Sequence, residues 1–128
     1  MRALAVLAAA LVFAPVAAAW PNANLKVTVW PKGKQRASHT WTLRCTYPGP
    51  RGTHPDPEGA CLALSRHPKA LKRVPQGIGC TQQWEGPQVA LVRGTFRGKS
   101  IRAWFKRTNG CEIGRWDALK PLFAVETS

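Results

Sequence analysis

Two stretches of the chain alternate apolar and polar residues with the period of a half-buried strand. In Leu25 to Trp30, Leu25, Val27 and Val29 share one face and Lys26 and Thr28 the other, and Pro31, Lys32 and Gly33 end the run. In His39 to Thr46, Trp41, Leu43 and Cys45 face one way and Thr40, Thr42, Arg44 and Thr46 the other, so this strand delivers Cys45 to the core side. Two further β-rich runs, Val89 to Phe96 and Ser100 to Arg107, meet at Arg97-Gly98 and read as a hairpin. Leu119 to Val125 is apolar enough for a last short strand, which Pro121 confines to an edge or to a strand start.

The segments between these runs carry different signals. Tyr47 to Gly59 is rich in Pro and Gly and favours turns and extended backbone. Pro57 and Glu58 then form the first turn of a helix capped by Asp56 or a neighbour. Ala60, Cys61, Leu64 and His67 fall at helical spacing, and Pro68 lies just beyond the end. Such a helix carries Cys61 on its inner face, where it can be pinned back to Cys45. Ala70 to Gly79 is basic and irregular and leads into Ile-Gly-Cys-Thr-Gln-Gln-Trp-Glu-Gly-Pro, residues 78–87, where Gly and Pro hold the chain out of regular structure around Cys80. Thr108-Asn109-Gly110 turns the chain and places Cys111 next. The sum is an α+β domain, an antiparallel sheet with at least one helix packed on it. Its six tryptophans are expected to supply much of the buried area.

The N-terminus changes the picture of where the chain works. Met1-Arg2, an apolar run from Ala3 to Val16 and the small residues Ala17-Ala18-Ala19 read as a secretory signal over 1–19, cut before Trp20. The apolar run is shorter than the ~20 residues that span a bilayer, so no membrane association is expected after cleavage. Residues 20–128 are enough for one compact domain and too few for two. Cys45, Cys61, Cys80 and Cys111 all lie there, an even number in an oxidising compartment, which favours two disulfides. None of them forms a CxxC pair of the kind that builds zinc sites, so no metal or cofactor is expected. Lys and Arg number 19 against 6 Asp and Glu, a formal net charge of +13, one less once Arg2 leaves with the signal. A charge of that size steers a protein toward anionic partners without naming one.

Candidate chemistry is sparse. His39, His54 and His67 fall on a strand, a loop and a helix end, with no serine or free cysteine placed as a nucleophile beside them. Asp56 and Glu58 lie where carboxylates stabilise a helix dipole. The chain is therefore not read as an enzyme. Lys99, Arg102, Lys106 and Arg107 cluster on the hairpin with Trp104 among them, a pattern that fits nucleic acid or an acidic cell-wall polymer. An ordinary solvated sheet face in a very basic protein explains the same pattern and is preferred.

The segment from Leu43 to Cys61 contains Thr46 after Cys45, then Pro48-Gly49-Pro50-Arg51-Gly52-Thr53-His54-Pro55, then Cys61 on a helix. It resembles the signature of the Streptomyces subtilisin inhibitor family. Cys80, the turn at Arg97-Gly98-Lys99 and Asn109-Gly110-Cys111 fall where that family has its third cysteine, its Gly-Lys turn and its Asn-x-Cys, so the resemblance runs over nearly all of Leu25 to Phe123. It implies a secreted serine-protease inhibitor, usually a homodimer, with a five-stranded antiparallel sheet, two helices and disulfides Cys45–Cys61 and Cys80–Cys111. It also implies a reactive bond two residues after the third cysteine, here Gln82-Gln83. Gly79, Cys80 and Thr81 would then contact a subtilisin-like protease on the acyl side, and Trp84 and Glu85 on the leaving side. Where the family pattern reads Cys-Pro-Met (or Lys)-Val-Tyr-Asp-Pro, this chain has Thr81 for the proline, Gln82 for the apolar or basic residue, and an extra Gly86 before Pro87. The exposed pair Gln82-Gln83, with abundant lysines, also suggests an acyl donor for a secreted transglutaminase.

Overall fold

The computed structural model describes residues 3–11 and 20–125. Of the segment read as a signal, residues 3–11 are exposed and irregular, whereas 1–2 and 12–19, which include the expected cut, lie outside the described residues. No described helix is long and apolar enough to cross a membrane.

Five strands form one antiparallel sheet: β1 (Ala23–Trp30), β2 (His39–Thr46), β3 (Gly49–Arg51), β4 (Val89–Phe96) and β5 (Lys99–Lys106), in the order β3-β2-β1-β4-β5. Alternation decides which side each residue takes. Leu25, Val27 and Val29 of β1, Leu43 and Cys45 of β2, Ala90 and Val92 of β4, and Ala103 and Phe105 of β5 all point to one face and are buried. Helices α1 (Pro57–Arg66), α2 (Gly110–Ala118) and α3 (Lys120–Phe123) cover that face, closing the core with Ala60, Cys61, Leu64, Trp116, Leu119, Leu122 and Phe123. The other face of the sheet stays open.

Asp56 caps α1 by accepting the Gly59 N–H at 3.0 Å, with Pro57 in the first turn, as its sequence predicts. The β4–β5 hairpin closes through two residues, Arg97 at φ 52° and Gly98 at φ 80°. Both are left-handed, which matches the twist of the flanking strands.

Three elements differ from expectation. Gly49–Arg51, inside the Pro-rich connection, pairs with Arg44 to Thr46 as a short edge strand. The residues after Asn109 form a helix rather than only a turn. Asn109 is its cap, accepting the Glu112 N–H at 2.9 Å, and Ile113 and Trp116 point inward one turn apart. Leu119 to Val125, expected as a strand, instead holds α3, because Pro121 sits in a first helical turn, where its missing N–H costs nothing. The tryptophans also divide differently: Trp116 is fully buried, whereas Trp84 and Trp104 are exposed.

Candidate functional site

Residues 79–86 cross from the irregular basic stretch to β4 without regular structure. Gly79, Thr81, Gln82 and Gln83 are exposed, Trp84 is 65% exposed, and Cys80 and Glu85 are half-buried. A segment so exposed is held only by what ties its ends. Here both ends are tied to the same short piece of chain, Arg107 to Cys111.

On the N-terminal side Cys80 is bonded to Cys111. One residue on, the carbonyl of Thr81 accepts the N–H of Gly110 at 3.0 Å. Gly110 leaves room for that approach: a Cβ there would fall 2.1 Å from the Thr81 Oγ1, so the exposed Thr81 hydroxyl would have to turn away. On the C-terminal side the Glu85 N–H donates to the Arg107 carbonyl at 2.9 Å. The Arg107 guanidinium returns two bonds of 2.8 Å each, one to the Glu85 carbonyl and one to its carboxylate. The carboxamide of Gln83 donates to the other carboxylate oxygen at 2.8 Å, drawing the residue after Gln82 into the same network.

Arg107 is the residue that the basic-cluster reading misplaced. It continues the inward parity of Ile101, Ala103 and Phe105, so its side chain leaves the solvent side and is only 8% exposed. Its Cζ lies 6.0 Å from the Trp116 ring, which packs on Phe123 at 4.3 Å. The loop is thereby anchored through one arginine to the aromatic centre of the core. The signal available in the sequence was that parity: a charged residue on an inward position needs a buried partner.

Gly86, the extra residue, is buried at φ 135°. A Cβ there would come within 2.1 Å of the Gln88 side chain, so the added residue fits only as glycine in a left-handed conformation.

The three histidines do not assemble a catalytic group. His39 and His54 both rest on the Trp41 ring, at 5.8 and 5.3 Å between centroids, and His67 follows α1. Both nitrogens of His54 serve backbone groups. Nε2 donates to the Leu122 carbonyl at 2.8 Å, and Nδ1 accepts the Asp56 N–H at 3.0 Å. Cys45 and Cys61 form the second disulfide, fully buried beneath α1. Among the described residues no cluster of three His, Cys, Asp or Glu side chains is arranged to hold a metal ion.

The family model described as subtilisin inhibitor-like matches residues 21–109. A transglutaminase-activating metalloprotease inhibitor of Streptomyces mobaraensis is 36% identical over 84 residues, which cover 63% of this chain and 53% of that protein. Kexstatin-1 of Streptomyces platensis is 34% identical over 89 residues, 64% of this chain and 60% of that protein. The matched part thus spans little more than half the length of these two relatives. Subtilisin inhibitor-like protein 1 of Streptomyces cacaoi is 36% identical over 87 residues, 64% of this chain and 76% of that protein. Among solved structures, Streptomyces caespitosus sermetstatin, crystallised with Bacillus licheniformis subtilisin, shares the fold with a TM-score of 0.51 and 22% identity. That match covers 80% of this chain and 97% of the other.

Proposed function

The chain belongs to the subtilisin inhibitor-like family, and we propose that it is a secreted inhibitor of subtilisin-like serine proteases that offers Gln82-Gln83 as its reactive bond. The observation that carries this reading is the double tether: an exposed segment fixed on both sides of one peptide bond to Arg107–Cys111. A protease cleft takes its substrate as an added extended strand, and a loop already held in shape loses little entropy on docking. Gln82 enters the specificity pocket, with Thr81 and Gly79 before it and Gln83, Trp84 and Glu85 after it. Once the bond is cut, both new ends stay anchored, so resealing competes with hydrolysis. In this role the chain is a ligand of an enzyme and performs no catalysis itself.

Gln82 carries no cation for a trypsin-type pocket and suits a broad subtilisin-type pocket better. Titration of residual subtilisin and trypsin activity with residues 20–128, followed by mass spectrometry of the cut chain, tests the proposal. Stoichiometric loss of subtilisin activity and a cut between Gln82 and Gln83 are expected. Turnover of the chain as an ordinary substrate would overturn it. Secretion through residues 1–19 and homodimer formation belong to the same reading; N-terminal sequencing of the exported protein and light scattering check them.

A second reading rests on the exposure of the two glutamines: they serve as acyl donors for a transglutaminase. Gln82 is the better donor, because the Gln83 carboxamide is engaged by Glu85. Absence of labelled-amine incorporation at either position removes this reading.

A further inference from the structure

A shallow groove of about 400 Å³ opens on the helix-covered side of the sheet, at the hairpin end of β4 and β5. One wall is a short 3₁₀ helix, Pro68–Leu71, that follows α1. Such a helix brings residues i and i+3 into line. Pro68 and Leu71 therefore face the floor together, and Lys69 and Lys72 stand together on the rim. The other wall is the hairpin. Phe96 and Ile101 hold the inward parity of their strands and complete the floor, Phe96 buried and Ile101 half-buried against the core. Arg97, in the turn, lays its guanidinium over the Phe96 ring at 5.1 Å. Lys99 shares the parity of Ile101 but is exposed, where the core ends.

An apolar floor thus lies between two pairs of cations, Lys69 and Lys72 on one side and Arg97 and Lys99 on the other. No Asp or Glu occurs between Glu58 and Glu85, or between Glu85 and Glu112. Among the described residues the ion pairs are Arg107–Glu85 and Arg115–Glu112, so no carboxylate pairs with any of the four. This layout selects the shape of a ligand. An acyl chain with a single anionic head leaves one pair of cations without a counter-charge. A polyanion without apolar groups leaves the floor wet. A peptide segment with one apolar side chain between carboxylates answers both, because the side chain fills the floor while the acids meet the rim on either side.

We propose that this groove docks an acidic peptide segment of a partner protein, anchored by one aromatic or aliphatic side chain flanked by Asp or Glu. The site is separate from the loop at Gln82-Gln83. Arg107, the anchor of that loop, lies just past the far end of β5, and a rise of about 3.3 Å per residue sets it about 20 Å along the strand from Ile101. A protease at the loop and an acidic partner at the groove therefore approach opposite ends of the sheet. The groove also leaves the open face of the sheet free for a second copy of the chain.

The test uses residues 20–128 and a fluorescent peptide, acetyl-Asp-Glu-Phe-Glu-Asp amide, followed by anisotropy at low salt, with a second peptide that carries Ser in place of Phe. Lys69→Gln/Lys72→Gln/Lys99→Gln is compared with Lys32→Gln/Arg66→Gln/Lys120→Gln, which removes the same charge from exposed positions outside the groove. The groove variant is expected to weaken binding by about tenfold or more, and the control by less than about threefold. The wild-type chain should bind the Ser peptide about tenfold more weakly than the Phe peptide, since the floor loses its apolar occupant. Both variants should inhibit subtilisin as the wild type does, whatever that level is, which separates this result from the fate of the inhibitor reading. Equal losses from the two variants would reduce the effect to net charge and overturn the proposal. So would equal affinity for the two peptides, a comparison that needs no protein variant and is untouched by any loss of fold. Tighter binding of laurate or of single-stranded DNA than of the Phe peptide would show the wrong occupant and overturn it as well.

Discussion

Arg107 and Glu85 hold each other through three hydrogen bonds: one from the Glu85 N–H to the Arg107 carbonyl, and two from the Arg107 guanidinium to the Glu85 carbonyl and carboxylate. The backbone bond ties Glu85 to the residue just past the end of β5, outside the β4–β5 register, which would set Gln88 opposite Arg107. The side-chain bonds hold that link from the core side, where Arg107 sits against Trp116. With Cys80 and Thr81 bound to Cys111 and Gly110, five consecutive residues serve as the base for both halves of the loop.

Removing the guanidinium therefore releases one half only. Arg107→Ala takes away two charge-assisted bonds, and bonds of that kind contribute about 1.5–3 kcal/mol when well buried. The inhibition constant against subtilisin is expected to rise by about 10- to 100-fold, with the cut chain accumulating during prolonged incubation. Glu85→Gln keeps the backbone carbonyl bond and should cost less. Inhibition assays with time-resolved mass spectrometry read both effects. An unchanged constant in Arg107→Ala would show that the leaving side needs no such anchor.

Much of this frame was legible as alternation. The parity of Leu25, Val27 and Val29, and of Leu43 and Cys45, is what the sheet uses, since a strand with one buried face leaves register little freedom. The Arg97-Gly98 turn and the Asp56 cap were legible for the same reason: each rests on chemistry local to a few residues. What escaped was decided by tertiary context. Gly110 and Gly114 weaken the helical signal of α2, and Thr108-Asn109-Gly110 reads as a turn until Asn109 is seen to cap. Pro121 is compatible with a strand start and with a first helical turn, and only packing against Trp116 and Phe105 selects the helix. The loop at Gln82-Gln83 was found by resemblance. Its anchor at Arg107 was hidden by its place in a run of basic residues.

The residue entering the specificity pocket sets the target. Gln82 places a polar carboxamide where a broad apolar pocket gains most from a flexible apolar chain. Gln82→Met and Gln82→Leu are expected to tighten subtilisin inhibition by about tenfold, the equivalent of about 1.4 kcal/mol. Gln82→Lys should create trypsin inhibition by supplying the cation that pocket requires. Inhibition constants for the three variants decide this. If all remain at the wild-type value, the reactive bond lies elsewhere.

His54 acts as a buried bracket between two backbone segments. It is 3% exposed and satisfies the Leu122 carbonyl and the Asp56 N–H. His54→Ala leaves both groups unpaired inside the protein, an expected loss of about 2–3 kcal/mol. His67→Ala, at an exposed position beyond α1, should stay within about 0.5 kcal/mol. Urea unfolding measures the pair. The midpoint should fall in the first variant at an unchanged slope, and an equal small effect in both would contradict the bracket.

The two disulfides differ in what they hold, and removing them should separate stability from inhibition. The chain-entropy account assigns about 3 kcal/mol to Cys45–Cys61 and about 4 kcal/mol to Cys80–Cys111, from the lengths of chain they close. The bridges lie 16 and 31 residues apart in sequence. Cys45→Ala/Cys61→Ala and Cys80→Ala/Cys111→Ala should thus unfold at similarly reduced temperatures. Only the second pair frees the acyl side of Gln82-Gln83. Assayed well below both midpoints, the first variant is expected to inhibit as the wild type does. The second should behave as a substrate, cut between Gln82 and Gln83 and released. Equal inhibition by the two would mean that the hydrogen bond from Gly110 to Thr81 suffices to hold the acyl side, leaving the disulfide to stabilise the fold alone.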